Sequence, residues 1–139
     1  MILLDTNGVS EPLRPAPDDR VVAWIDAQPV ETLYLSAMTV AEMLAGVTLM
    51  PAGRRRDRLH DYINRDLLPA FLGRVIPFDL ACTAAYAEVL AAVKLAGSGI
   101  ETADAIIAAV ARANGLVVAT RDTNPFQSAG LAVINPWET

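Results

Sequence analysis

The chain has few of the side chains that bind soft metals or form crosslinks. Its 139 residues include one cysteine, Cys82, and one histidine, His60. A lone cysteine excludes an intrachain disulfide and suits a reducing compartment, and a lone histidine excludes zinc sites built on paired histidines. Lysine is as scarce, with Lys94 alone against ten arginines. Lys94 falls inside a helical stretch, which argues against receiver domains and aspartate-phosphorylating phosphatases, because both need a lysine near a strand end. Those phosphatases also use Asp-x-Asp, and here Asn7 holds the second place. No glycine-rich phosphate loop of either common spacing is present.

Long apolar runs are missing too. None approaches the ~20 residues of a membrane span. The N-terminus has no basic region, and Asp5 interrupts its apolar start, so no secretion signal is expected. The net charge of −5 argues against a broad basic surface for duplex DNA, though not against a local basic patch. The expectation is one cytoplasmic globular domain over residues 1–139 with no membrane contact.

The chain is otherwise 53% hydrophobic, and the apolar residues alternate between two periods. Strand-like runs occur at Ile2–Leu4, Leu33–Leu35, Val75–Phe78, Leu116–Thr120 and Leu131–Ile134. Helical patterns lie between them, at Asp18–Gln28, Thr39–Met50, Arg54–Leu68, Leu80–Ala96 and Thr102–Ala113. Alternation of this kind predicts an α/β sandwich with a mostly parallel sheet. Prolines 12, 15 and 17 mark a stiff loop after the first strand, Asp79 reads as a helix cap, and Cys82 reads as core.

Four acids stand out because each is alone in apolar surroundings. Asp5 ends the first strand, and Asp122 follows the strand "LVVAT". Glu42 is the only charge between Ser36 and Met50, in a helix apolar nearly all round and therefore expected to be buried. Asp104 is the only charge between Thr102 and Ala111. Each also has an ordinary explanation. Asp5 would cap a short helix, and Thr39-x-x-Glu42 matches a capping box. Asp104 would favour a helix N-terminus, and Asp122 would form an Asx turn and pair with Arg121. Taken together these weaken, because strand ends and first helical turns share one edge of a parallel sheet, where ligands bind. Acids gathered there repel one another, and a hard divalent cation, Mg²⁺ or Mn²⁺, relieves that repulsion with oxygen ligands. Thr6, Asn7 and Thr120 are placed to orient the carboxylates or a metal-bound water. Arg54, Arg55 and Arg56 open a basic helix that is either a solvated face or a contact for RNA phosphates or a partner, and Arg121 stands beside Asp122.

"LLDTN", "AEMLAG", "TADAIIAAVA" and "GLVVATRDTNPF" in this order resemble the PIN-domain ribonucleases, and more closely the VapC-type toxins of toxin–antitoxin modules. "SEPLRP", "LYLSAMTVAE", "PAGRRRDRLH" and "GLAVINPWE" resemble the FitB branch of that group, so the resemblance spans essentially the whole chain. It implies a three-layer PIN-like sandwich, with about five strands flanked by helices, and Mg²⁺- or Mn²⁺-dependent endoribonuclease activity. It also implies a cognate antitoxin that blocks the site and links the complex to operator DNA, and a homodimer. Carried onto this chain, it makes Asp5, Glu42, Asp104 and Asp122 the acidic quartet, with Thr120 as a polar helper. Two rival functions stay open at the level of sequence: a catalytically weak subunit of a DNA-regulatory complex, and a metal-dependent phosphatase of small substrates.

Overall fold

The computed structural model describes residues 1–139 as one parallel five-stranded sheet with helices on both faces. The strands are β1 (Ile2–Leu4), β2 (Leu33–Ser36), β3 (Val75–Ile76), β4 (Val117–Ala119) and β5 (Val133–Ile134). Their order across the sheet is β3-β2-β1-β4-β5, and every neighbouring pair is parallel. Ile2 lies opposite Leu33 on one side and Val117 on the other, so β1 is the central strand from which the chain winds both ways. The strands β3, β4 and β5 are shorter than their apolar runs because pairing covers only part of each, while β1 and β2 fill theirs. No helix is long and apolar enough to cross a membrane.

Strand alternation divides the core in two. Leu3 and Val118 point to the face covered by α6 (Leu80–Leu95), α7 (Thr102–Asn114) and α8 (Thr123–Ser128). Leu4, Leu33, Leu35 and Ala119 point to the other face. That face is covered by α1 (Thr6–Ser10), α3 (Ala37–Thr48), α4 (Arg54–Tyr62) and α5 (Leu68–Ala70), with α2 (Asp19–Ala27) beyond them. On the α7 side Ala105, Ala108, Ala109 and Ala111 are fully buried, so small side chains bring this helix close to its neighbours. Gly115 ends α7 at φ +65°, the left-handed conformation glycine adopts without Cβ strain, and the Leu116 N–H closes the turn on the Ala111 carbonyl at 2.9 Å. Asp79 caps α6 through the Cys82 N–H, and Cys82 is buried, as read from the sequence.

Five local expectations are corrected. The α3 helix starts at Ala37 and not Thr39, because the Ser36 hydroxyl accepts the Thr39 N–H at 3.0 Å. No Thr39–Glu42 capping box forms, and Glu42 falls in the second turn. Nor is α3 buried all round: Thr39, Met43 and Val47 face inward, while Ala37, Ala41, Ala45 and Gly46 are exposed. Their small size keeps the exposed apolar area low despite the apolar composition. The basic helix is not continuous to Leu68; a wide π-type turn at Ile63–Leu67 re-aims it so that Ile63 and Leu67 both enter the core. Finally, the stretch after β1 opens with α1 and a 3-10 turn at Glu11–Leu13 before the proline-rich loop. Glu11 is buried there, accepting the Asp18 N–H at 3.2 Å and meeting Arg14 at 3.4 Å.

Candidate functional site

Asp5 leaves β1 at the carboxyl edge of the sheet, where β1 and β4 separate toward opposite windings. It is 5% exposed. One carboxylate oxygen accepts the Thr6 N–H at 2.8 Å, which caps α1; the other accepts the Thr120 hydroxyl at 2.8 Å. The ordinary capping role and the edge placement therefore coexist in one side chain. Burial raises the Asp5 pKa above the usual carboxylate range, and repulsion from Glu42 and Asp122 adds to the effect, while the Thr120 and Thr6 bonds oppose it.

Thr120 links two of the acids, since its Oγ1 also accepts the Asp122 N–H at 3.1 Å. Asp122 precedes α8, but its side chain makes no capping bond, so the Asx-turn alternative does not hold and the carboxylate stays exposed at the edge. Arg121 does not pair with Asp122. Its guanidinium lies 5.7 Å from the centre of the Trp137 ring, a cation–π contact, and its N–H reaches Asn7 Oδ1 at a long 3.5 Å. Asn7 thus meets the β4 exit loop and no carboxylate.

Glu42 arrives from α3 on the opposite flank. The Thr6 hydroxyl donates to Glu42 Oε1 at 2.7 Å, with Thr39 Oγ1 3.4 Å away. Asp104 is the third residue of α7 and half-buried. Its pKa is pushed up to about 6, first by burial, then by repulsion from Asp5, Asp122, Glu42 and Glu101. All four acids singled out in the sequence thus share one electrostatic neighbourhood. Glu101 joins them and was missed by sequence reasoning. The signal was its position three residues before Asp104, which places both on one flank of the start of α7.

Two openings flank Asp5. One is a cleft of about 480 Å³ lined by Glu101, Asp104 and Asp122 with Gly99, Ile100 and Pro125; no cation lines it. The other is a groove of about 240 Å³ that begins at Thr6 and Glu42 and runs between α3 and α4. Arg14 and Arg55 line this groove, so Arg55 reaches the site, whereas Arg54 lines neither opening and Arg56 lines a separate hollow with His60.

The donor set is all oxygen: carboxylates supported by threonine hydroxyls, with His60 and Cys82 elsewhere. That chemistry fits a hard divalent cation. No three acids are drawn together tightly enough to enclose an ion directly. Mg²⁺ retains several of its waters and takes one or two carboxylates, so spaced acids around an open cleft suit it better than a closed cage does.

A family model described as PIN domain matches residues 2–130. The chain is 61% identical over 138 residues to "Plasmid stability protein StbB" of Pseudomonas syringae pv. tomato, covering 99% of both. It is 54% identical over 138 residues to "VapC ribonuclease Y4jK" of Sinorhizobium fredii, again covering 99% of both. It is 50% identical over 137 residues to "Toxin FitB" of Neisseria gonorrhoeae, with the same coverage. Among solved structures, that of FitAcB from Neisseria gonorrhoeae matches at a TM-score of 0.96 and 50% identity over 100% of both chains. A structure of FitAB bound to an IR36 DNA fragment matches at 0.96 and 50% over 99% of this chain and 96% of that one.

Proposed function

The chain belongs to the PIN-domain family, and on that premise we propose that its acidic edge cuts RNA as the toxin of a type II toxin–antitoxin module. The observation that carries this is Asp5: a buried carboxylate with both oxygens held by Thr6 and Thr120, in a cluster where burial and then like-charge repulsion lift Asp104 to about 6. Burying one charge among like charges destabilises the empty site, and a bound cation converts that repulsion into binding. Relatives named a VapC ribonuclease and a toxin give the same direction.

Asp5, Asp104 and Asp122 would hold Mg²⁺ or Mn²⁺, with Glu42 holding it or orienting water. When bound, such an ion would supply charge neutralisation at the scissile phosphate and a water of lowered pKa. Thr6, by donating to one Glu42 oxygen, leaves the other free to accept from the attacking water. Thr120 fixes the rotamer of Asp5, and Asn7 holds the loop that carries Asp122. Water adds to phosphorus and the bond to the 3′ oxygen breaks, leaving a 5′-phosphate and a 3′-hydroxyl.

Residues 1–139 would form a single PIN-like unit, since the C-terminal turn Pro136–Glu138 packs on α2. Its partners are a cognate antitoxin that covers the acidic edge and RNA as substrate. Operator DNA is reached through the antitoxin, consistent with the DNA-bound FitAB relative. A second copy of the chain would complete a homodimer. A substrate among cellular RNAs would put the protein in the cytoplasm.

The test is direct. The purified, antitoxin-free chain should cleave single-stranded RNA with Mg²⁺ or Mn²⁺, stop in chelator, and stop again when the antitoxin is added back. A metal-replete chain that binds antitoxin but leaves RNA intact would move the protein to the regulatory reading. Hydrolysis of a small phosphate ester unaffected by competing RNA would move it to the phosphatase reading.

A further inference from the structure

The groove between α3 and α4 has three features that the fold alone does not explain. First, it opens directly from the acidic edge, sharing Thr6 and Glu42 with it. Second, its floor is apolar, with Leu13, Met43, Val47 and Leu59, while its rim carries two arginines. Arg14 is tied to Glu11 at 3.4 Å, but Arg55 has no carboxylate within ion-pair distance, nor have its neighbours Arg54 and Arg58. Third, Gly46 lies inside α3 and lines the groove. Glycine inside a helix destabilises it relative to alanine. A Cβ at Gly46 would meet nothing within 4 Å, so neither packing nor backbone conformation calls for glycine there. A bare backbone in an open groove suits an occupant that must approach closely.

We propose that this groove seats the nucleotide adjoining the scissile phosphate, with Arg55 and Arg14 holding its phosphate and the Gly46–Val47 wall receiving its base. The proposal rests on the ribonuclease reading above and adds a direction to it. The strand enters from the arginine side, because the opposite cleft is lined only by acids and would repel a phosphate without an intervening cation. A base has apolar faces and an anionic attachment point, which matches an apolar floor under a cationic rim. Arg55 and Arg14 are positioning residues, since they act on where the substrate lies and not on the bond that breaks.

The test compares Arg55→Ala, Arg55→Lys and Gly46→Leu with the parent and with Arg20→Ala, which removes an arginine on α2 already paired with Asp18 at 3.1 Å. Steady-state cleavage of a mixed-sequence single-stranded RNA is measured alongside anisotropy binding over a salt series. Arg55→Ala and Gly46→Leu should each raise KM on the order of tenfold, the size of one lost charged contact, with kcat within about twofold. The log–log salt slope should fall by about 0.7 in Arg55→Ala, recover in Arg55→Lys, and stay unchanged in Gly46→Leu. Arg20→Ala should change nothing. Arg55 is exposed, so its variants keep the test alive even if Gly46→Leu folds poorly. Unchanged KM and salt slope in Arg55→Ala, with a parent that cuts RNA, would overturn the groove and leave the ribonuclease reading intact. Loss of antitoxin affinity with RNA affinity retained would assign the groove to the partner protein and overturn the proposal. A parent that neither binds nor cuts RNA would remove both readings together.

Discussion

The two openings beside Asp5 differ more in charge than in any other property. The Asp104 cleft gathers Glu101, Asp104 and Asp122 and offers no cation. The α3–α4 groove holds one acid, Glu42, which accepts a hydrogen bond from the Thr6 hydroxyl, and two arginines. One opening repels a phosphate unless a metal intervenes; the other attracts it unaided. A site that must hold a cation and an anionic polymer within a few ångströms gains from such separation, because arginines inside the acidic cleft would compete with the metal for its ligands. The difference also follows from the sheet winding. The acidic cleft sits at the start of α7, packed through fully buried alanines, while the groove sits under α4, joined to the rest of its layer by a π-type turn.

This division makes kinetic predictions that separate the sides, and the largest concerns the acids. Asp5→Asn or Asp104→Asn should lower kcat by about 10³-fold, since metal-assisted charge stabilisation is worth several kcal/mol and each 1.4 kcal/mol is tenfold. RNA affinity in chelator should hold or tighten, because one repelling charge is gone. Single-turnover cleavage beside anisotropy binding gives both numbers. An acid variant that loses affinity and keeps its turnover would reverse the assignment of the two sides.

A smaller effect belongs to the hydroxyls that hold the acids. Thr120→Val removes the donor to Asp5 and the acceptor for the Asp122 N–H in one change. Metal affinity should fall about 10–100-fold, the usual result of removing a group that orients a ligand. The fold should lose about 1–3 kcal/mol, because the buried Asp5 oxygen is left without that donor. Thr6→Val breaks the contact to the half-buried Glu42 and a long one to Thr39, and should cost less on both counts. Isothermal titration with Mn²⁺ and a denaturant melt measure the pair; equal losses would mean that the two flanks support the metal alike.

The division was only partly legible in the sequence. The acids were legible because a charge surrounded by apolar residues is costly, so each solitary carboxylate signalled a compensating reason. The elements were legible from their periods, apart from α1, too short to show one, and α8, a short helix containing Asn124 and Pro125 that is held by the burial of Phe126 and not by local propensity. The strand order β3-β2-β1-β4-β5 was not legible, because nothing within a strand states its neighbours. For the same reason Arg55 could be singled out as basic but not placed in one groove with Glu42, since they lie on different helices. The exposed face of α3 was misread because alanine and glycine count as apolar in a pattern yet tolerate water. Glu101 was passed over because a residue before a helix reads as loop until its neighbour three positions on is known to line a site.

The smallest effect tests whether the acids repel one another when no metal is bound. Asp104 is held near 6 in the fold, against an ordinary value of 3.8. Between those values the folded chain keeps a proton on Asp104 that the unfolded chain has released. Stability therefore falls as pH rises through that window and stays lower above it. Asp104→Asn cannot titrate and escapes the loss. In chelator the parent and Asp104→Asn should melt together near pH 4, and the variant should melt higher by about 2–6 °C at pH 7. The group is half-exposed, so solvent screening keeps the gap modest, and high salt should narrow it further. Mn²⁺ at pH 7 should raise the parent more than the variant, because only the parent presents the full set of carboxylates to a ligand that binds the folded state. A pure helix-dipole role for Asp104 predicts the opposite order: loss of a favourable charge in the first turn of α7, a lower melt for the variant at pH 7, and the same response to Mn²⁺ in both proteins. Thermal melts at pH 4 and pH 7, with chelator and with Mn²⁺, separate the two, and a variant that melts lower at pH 7 in chelator would leave the acidic side of the comparison without its electrostatic basis.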